Sequence, residues 1–204
     1  MKVDRQDKTV VYWLAVPLSD VLKGASCGTG QRFQLMRYKY SLLSTLLDRD
    51  IGPSSIARSI SGNPFIPGVE FSFSISHSQA YYAIAFTYKK TCIGLDIESE
   101  FRPVSNRWVQ RYLTCRERES LKHADFYSRA CMRYWTQKEA YLKCKGLTIF
   151  SGLHRMDFVH VAHNEVKSNF DQNIYRYFFL NFNGQIGSLI TDDLKIKRLL
   201  PWVI

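Results

Sequence analysis

The stretch Ile93-Gly94-Leu95-Asp96-Ile97-Glu98 alternates aliphatic with non-aliphatic residues without a break, the two-residue period of a β-strand. Side chains leave a strand on alternate faces, so Ile93, Leu95 and Ile97 share one side and Gly94, Asp96 and Glu98 the other. Upstream, the short link Lys89-Lys90-Thr91 joins it to a second apolar run, Tyr81 to Tyr88, and the two are expected to form an antiparallel hairpin. Before that, Phe71, Phe73 and Ile75 alternate with Ser72, Ser74 and Ser76, which predicts a half-buried strand ending at His77. From Gln31 to Asp50 the apolar residues Leu35, Met36, Tyr40, Leu43, Leu46 and Leu47 follow a 3.6-residue period and stop before Gly52-Pro53, which predicts a helix of about five turns. Thr9 to Val16, β-branched and aromatic, reads as a buried strand.

Downstream, Thr114-Cys115-Arg116-Glu117 matches a capping box and places a helix start at Thr114. A longer helix is expected from near Asp125 to Lys145, with Gly146 ending it. The last quarter returns to strands at Met156 to Ala162, Ile174 to Phe182 and Gln185 to Ile190, the last two joined by the hairpin signal Asn183-Gly184. Strands joined mostly by short links, with helices in separate blocks, favour an α+β fold over a doubly wound parallel sheet.

The chain has 204 residues, of which 46% are hydrophobic, enough for a substantial core, and this excludes intrinsic disorder and fibrous structure. The apolar run Val10 to Leu18 is too short to span a bilayer and contains Pro17, so no transmembrane segment is expected. Asp4 and Asp7 fit poorly with a secretory leader. Five cysteines, Cys27, Cys92, Cys115, Cys131 and Cys144, include no C-x-x-C pair and read as free thiols of a reducing cytoplasm. The net charge of +10 calls for an anionic partner: nucleic acid, a phosphorylated small molecule or an acidic protein.

Chemistry gathers at three places. Asp96 and Glu98 project from one face with Cα atoms about 7 Å apart, and two such charges suit a hard divalent cation such as Mg²⁺, with Gly94 leaving room for a ligand. Against this stands a solvated outer face of an edge strand. On the long helix, Trp135, Glu139 and Lys143 follow at steps of four and share a face. Glu139 and Lys143 alone would amount to a surface ion pair, but three carboxylates brought together could hold a hydrated cation against phosphate, with Lys143 adding a point charge. The third place is Ser76-His77-Ser78, two hydroxyls and an imidazole suited to hydrogen bonding with phosphate or ribose, and without the G-x-S-x-G elbow of a hydrolase.

These three elements, in this order, resemble the 4′-phosphopantetheinyl transferases of the surfactin-synthetase-activating, two-subdomain type. Ile93 to Glu98 is similar to the family's G-x-D-x-E signature, Trp135-Thr-Gln-Lys138-Glu139-Ala140-Tyr-Leu-Lys143 to its W-x-x-K-E-A/S-x-x-K signature, and Phe73 to Ser78 to its F-N-x-S-H-S segment. The resemblance is convincing over about Gly62 to Leu147 and rests on pattern alone elsewhere. It implies two similar α+β subdomains related by a pseudo-twofold, meeting near Thr91 and thus covering residues 1–91 and 92–204. The implied enzyme moves the phosphopantetheine arm of coenzyme A to a serine of an acidic acyl or peptidyl carrier protein and releases 3′,5′-ADP. Asp96, Glu98 and Glu139 would hold Mg²⁺, or Mn²⁺ in its place. Lys143 would stabilise phosphate charge, Ser76 and His77 would contact the nucleotide half, and Glu139 or a metal-bound water would take the serine proton, so Glu139, Lys143 and Asp96 form the implied catalytic set. Ser61-Gly62-Asn63-Pro64 resembles the family's G-K/R-P stretch with Asn63 in place of a phosphate-binding cation. Arg32, Arg37 and Lys39 on the first helix are candidates to supply that charge.

A cytoplasmic monomer without nucleic-acid or membrane partners is expected on this reading. Two alternatives differ in class: a basic, non-catalytic nucleic-acid-binding module with aromatic strands for stacking, and a carrier-binding relative that has lost turnover.

Overall fold

The computed structural model describes residues 5–23, 29–60, 62–149 and 152–202. Asp4, Cys27 and Ser61, which figured above, lie outside them. Eleven strands are assigned among the described residues: β1 Val10–Pro17, β2 Ala57–Arg58, β3 Pro64–Phe65, β4 Ser72–His77, β5 Tyr81–Thr87, β6 Ile93–Ser99, β7 Phe158–Ala162, β8 Glu165–Ser168, β9 Ile174–Phe182, β10 Gln185–Thr191 and β11 Arg198–Pro201. The helices are α1 Leu18–Val21, α2 Thr29–Leu47, α3 Asn106–Tyr112, α4 Cys115–Leu121 and α5 Tyr127–Lys145.

Two larger sheets carry the fold, in the orders β11-β1-β5-β4 and β6-β10-β9-β8-β7, with β2-β3 a separate ribbon. The same path is traced twice. A strand (β1, β6) leads to a long helix (α2, α5), and a hairpin follows (β4-β5, β9-β10) whose second strand lies beside the first strand. The pairings are antiparallel except for β11 on β1, so the α+β expectation holds.

Strand alternation divides the apolar side chains among three cores. Val10 and Tyr12 of β1 pack with Leu42, Leu43 and Leu46 of α2, while Cys131, Met132 and Tyr141 of α5 pack with Tyr175, Tyr177 and Ile190. Between the sheets, Val11, Ala83 and Ala85 of the first meet Leu95, Ile97, Leu180 and Leu189 of the second. The layers therefore run α2, first sheet, second sheet, α5. The small side chains Ala83 and Ala85 let the two sheets close on each other, with Trp13 against Phe182 at a ring separation of 5.1 Å.

Several expectations need correction. β5 and β6 are not a hairpin: they belong to different sheets. Lys89-Lys90-Thr91 has no residue suited to a tight turn, and it instead crosses between the sheets, tied by Lys89 to Asp193 and by Thr91 Oγ1 to Asp192 Oδ1 at 2.7 Å. β4 is not half-exposed, because Ser74 and Ser76 are buried. α2 stops at Leu47 rather than Asp50, where Asp48 takes a left-handed φ of 52° and Ser44 Oγ accepts the Ile51 N–H at 2.9 Å. Elsewhere the local signals act as expected. Thr114 and Glu117 form the capping box of α4, Gly146 ends α5 at φ 67°, and Asn183-Gly184, both with positive φ, turn β9 into β10.

Candidate active site

β6 is the edge of the second sheet, and its outward face lies on α5. The contact is closest at Gly94, where a Cβ would stand 1.8 Å from the Ala140 carbonyl oxygen and 2.6 Å from the Cys144 nitrogen. The absent side chain thus makes room for helix backbone and not for a ligand, which corrects the reading above. From this contact Asp96 and Glu98 face the helix row Trp135, Glu139 and Lys143.

The side chains then sort into specific pairs. Lys143 Nζ donates to Asp96 Oδ1 at 2.8 Å and to the Leu95 carbonyl at 2.9 Å, so it bridges to β6 and does not form the i,i+4 pair with Glu139. Ser76 Oγ donates to the same Asp96 Oδ1 at 2.8 Å and accepts the Ile97 N–H at 3.3 Å. Its hydroxyl proton is therefore committed to the carboxylate rather than free for a nucleotide. Ser74 Oγ accepts the Leu95 N–H at 2.9 Å and Ser72 Oγ the Thr91 N–H at 3.0 Å. The open edge of β6 is thus satisfied by side chains of the first sheet and by Lys143, which meets the demand that buried backbone groups find partners. Glu98 is paired with Arg102 four residues on.

Two carboxylate oxygens remain without partners although buried: Asp96 Oδ2 and Glu139 Oε1. Burial, reinforced by Asp96 and Glu98 and opposed by Lys143, pushes the Glu139 carboxyl up to about 7. Burial likewise raises Glu98, against the pull of Arg102. Among the described residues no group of three His, Cys, Asp or Glu is gathered tightly enough to hold a metal ion by itself. Mg²⁺, however, is commonly bound through one or two carboxylates plus waters and substrate phosphates. The two orphaned oxygens, one on Asp96 and one on the raised Glu139 carboxyl, fit such a cation.

The other expected residues share none of these hydrogen bonds. His77 is exposed at the end of β4. Asn63 Nδ2 donates to the Cys144 carbonyl at 2.9 Å, so it caps the last turn of α5. Arg37 lies over the Phe33 ring and Lys39 over the Tyr40 ring of their own helix, and neither forms an ion pair among the described residues. The sequence reading passed over three contributors. Arg102 carried no local signal, since an i+4 spacing predicts contact on a helix and Glu98 lies in a strand, whereas Ser74 shared the two-residue period of Ser76. Lys138 lay inside a quoted motif: fully buried, its Nζ donates to Glu117 Oε2 at 2.6 Å and to the carbonyls of Tyr112 at 2.8 Å and Leu153 at 2.9 Å. It pins α5 to the end of α3, the start of α4 and the turn Leu153–Arg155.

An edge-strand carboxylate, a helical carboxylate of raised affinity for protons and a lysine thus meet between β6 and α5, donor chemistry that suits a cation or phosphate. Residues 92–188, a stretch that contains the whole of β6 and α5, match the family model of the 4′-phosphopantetheinyl transferase superfamily. The chain is also similar to the 4′-phosphopantetheinyl transferase HetI of Nostoc sp. strain PCC 7120, with 34% identity over 94 residues. That match takes in 44% of this chain and 37% of HetI, so the chain spans well under two thirds of that relative. No helix among the described residues is long and apolar enough to cross a membrane.

Proposed function

We propose that the protein transfers the 4′-phosphopantetheine arm of coenzyme A to a serine of an acidic acyl or peptidyl carrier protein, with Mg²⁺, releasing 3′,5′-ADP. The observation that carries this reading is the convergence of Asp96, Glu139 and Lys143 across β6 and α5, with two buried carboxylate oxygens unpartnered, inside the stretch that matches the superfamily. Asp96 and Glu139, with Glu98 beside them, would hold the cation, which when bound neutralises pyrophosphate charge and orients the phosphates.

The chain's own groups do the rest. Lys143, held by Leu95 and Asp96, places a fixed positive charge at the phosphates. Glu139, raised toward neutrality, is suited to accept the proton of the attacking serine hydroxyl at the carboxyl oxygen that does not hold the cation. Phosphoryl transfer needs mostly such positioning and charge stabilisation. His77, exposed beside the site strand, is assigned to the nucleotide half, near its 3′-phosphate. Ser76 acts through Asp96. Arg37 and Lys39 keep the role of supplying charge to that phosphate, and the basic charge of the chain suits both partners. On this reading the chain divides into subdomains 1–91 and 92–204, although β11 returns to pair with β1, and it works as a cytoplasmic monomer.

The test is intact-protein mass spectrometry of an apo acyl carrier protein and an apo peptidyl carrier domain, each incubated with the protein, coenzyme A and Mg²⁺. A gain of about 340 Da that EDTA abolishes is the expected result for a metal-assisted transfer. No gain on either carrier, with coenzyme A binding absent in a direct titration, would overturn it.

A further inference from the structure

β9 outruns its neighbour on one side. β8 pairs with it over Ile174 to Arg176, and the Tyr177 N–H closes one more bond to the Asn164 carbonyl at 2.8 Å, yet β9 continues to Phe182. Backbone groups of an antiparallel ladder alternate sides with a period of two. The N–H and C=O of Phe179 and Asn181 therefore face the way Tyr177 does, where no strand among the described residues pairs with them.

The gap left is a groove of about 560 Å³ lined by Trp13, Asn164, Phe179, Asn181, Lys197 and Leu200 among others. Its far wall is β11, an edge strand bonded to β1 alone. The floor is apolar, and exposed Phe179 carries the Arg133 guanidinium 5.0 Å from its ring centre. No acidic residue lines the groove, whereas Lys197 and Arg198 do. Arg198 is held by Asp7, but the exposed Lys197 forms no ion pair among the described residues.

We propose that this groove docks an extended, acidic segment of a partner protein as an added strand along β9 from Phe178 to Phe182. The free edge supplies main-chain hydrogen bonds. Alternate side chains of the segment would sit on Trp13 and Leu200, and the others would meet Lys197. An isolated edge of this kind, with neither charge nor proline from Phe178 to Phe182, is a template for strand addition. The inference is independent of the transferase reading, because none of its residues belongs to the site between β6 and α5.

The probe is a fluorescein-labelled, capped hexapeptide of alternating Glu and Val, titrated by fluorescence anisotropy against the full chain. Its Lys-Val counterpart and a copy N-methylated at alternate amides serve as comparisons. The Glu-Val peptide is expected to bind about tenfold or more tightly than the Lys-Val peptide, with affinity falling as salt rises. Lys197→Glu should weaken it by a similar factor without changing the circular dichroism, and N-methylation of the paired amides should abolish binding. Equal affinity for the Lys-Val or N-methylated peptide, or absence of binding, would overturn the proposal. So would a concentration-dependent dimer that excludes the peptide, since the groove would then belong to a second copy of the chain.

Discussion

The Ser76 hydroxyl sits between the two sheets, 2.8 Å from Asp96 Oδ1 as donor and 3.3 Å from the Ile97 nitrogen as acceptor. One side chain of the first sheet thereby orients the carboxylate of the second and closes its edge. Ser76→Ala should cost about 1–3 kcal/mol of stability, because it leaves a buried N–H and a carboxylate oxygen each short of a partner. In the proposed transferase it should lower kcat with little change in KM for coenzyme A. A rise in KM alone would mean that the hydroxyl binds nucleotide after all, and urea denaturation with steady-state kinetics separates the two.

Gly94→Ala tests the helix-strand contact. A methyl group 1.8 Å from the Ala140 oxygen cannot be accommodated by rotating a side chain, since its neighbours are helix backbone. The variant should lose about 3 kcal/mol or more, the upper range for overpacking, or fail to fold. A urea midpoint equal to that of the parent chain would show that β6 and α5 do not touch there.

These two residues also show how far the sequence could be read. The strand period of 93–98 and the helix period around Glu139 were legible because each is local, and together they pointed to the contact of β6 with α5 on which the candidate site is built. The partner of β6 was not legible, since sheet order depends on contacts between distant segments. Ser72, Ser74 and Ser76 looked like a solvent face because small polar residues are common on one. Nothing local says that the N–H groups they accept from lie on and just before the edge strand of another sheet. Lys143 paired across to Asp96 rather than along its helix for the same reason.

The buried pair Lys138 and Glu117 gives a third prediction. Burial pushes the Lys138 amine down and the Glu117 carboxyl up, while three acceptors around Nζ keep the ammonium in place. Lys138→Met leaves Glu117 charged or protonated without its partner and should cost about 3–5 kcal/mol, whereas the double variant with Glu117→Leu should recover much of that loss. Chemical denaturation of the two singles and the double measures the coupling. Additive losses would show that the pair does not act as a unit.

Acid stability offers a fourth. Burial alone would raise the Asp171 carboxyl, but hydrogen bonds from the Tyr175 hydroxyl and the Asn173 amide outweigh it and hold it near about 2, below its ordinary 3.8. A carboxyl depressed in the folded state stabilises above its unfolded value, and that contribution is lost as pH falls through the folded one. Asp171→Asn should therefore destabilise the protein at neutral pH, and the gap between variant and parent should close as pH drops from about 4 to about 2. A gap that persists unchanged at the acid end would assign the effect to packing.

The placement of β11 beside β1 bears on how the molecule assembles. Arg198 meets Asp7 across 191 residues of chain, and β11 is laid in parallel along β1 from Val10 to Trp13. During synthesis the first sheet stays one strand short, with the backbone of β1 bare on that side, until every strand of the second sheet has left the ribosome. Such long-range closure slows folding and prolongs the exposure of unpaired strands. A nascent chain stalled before residue 198 should accordingly be the species that chaperones hold and proteases cut.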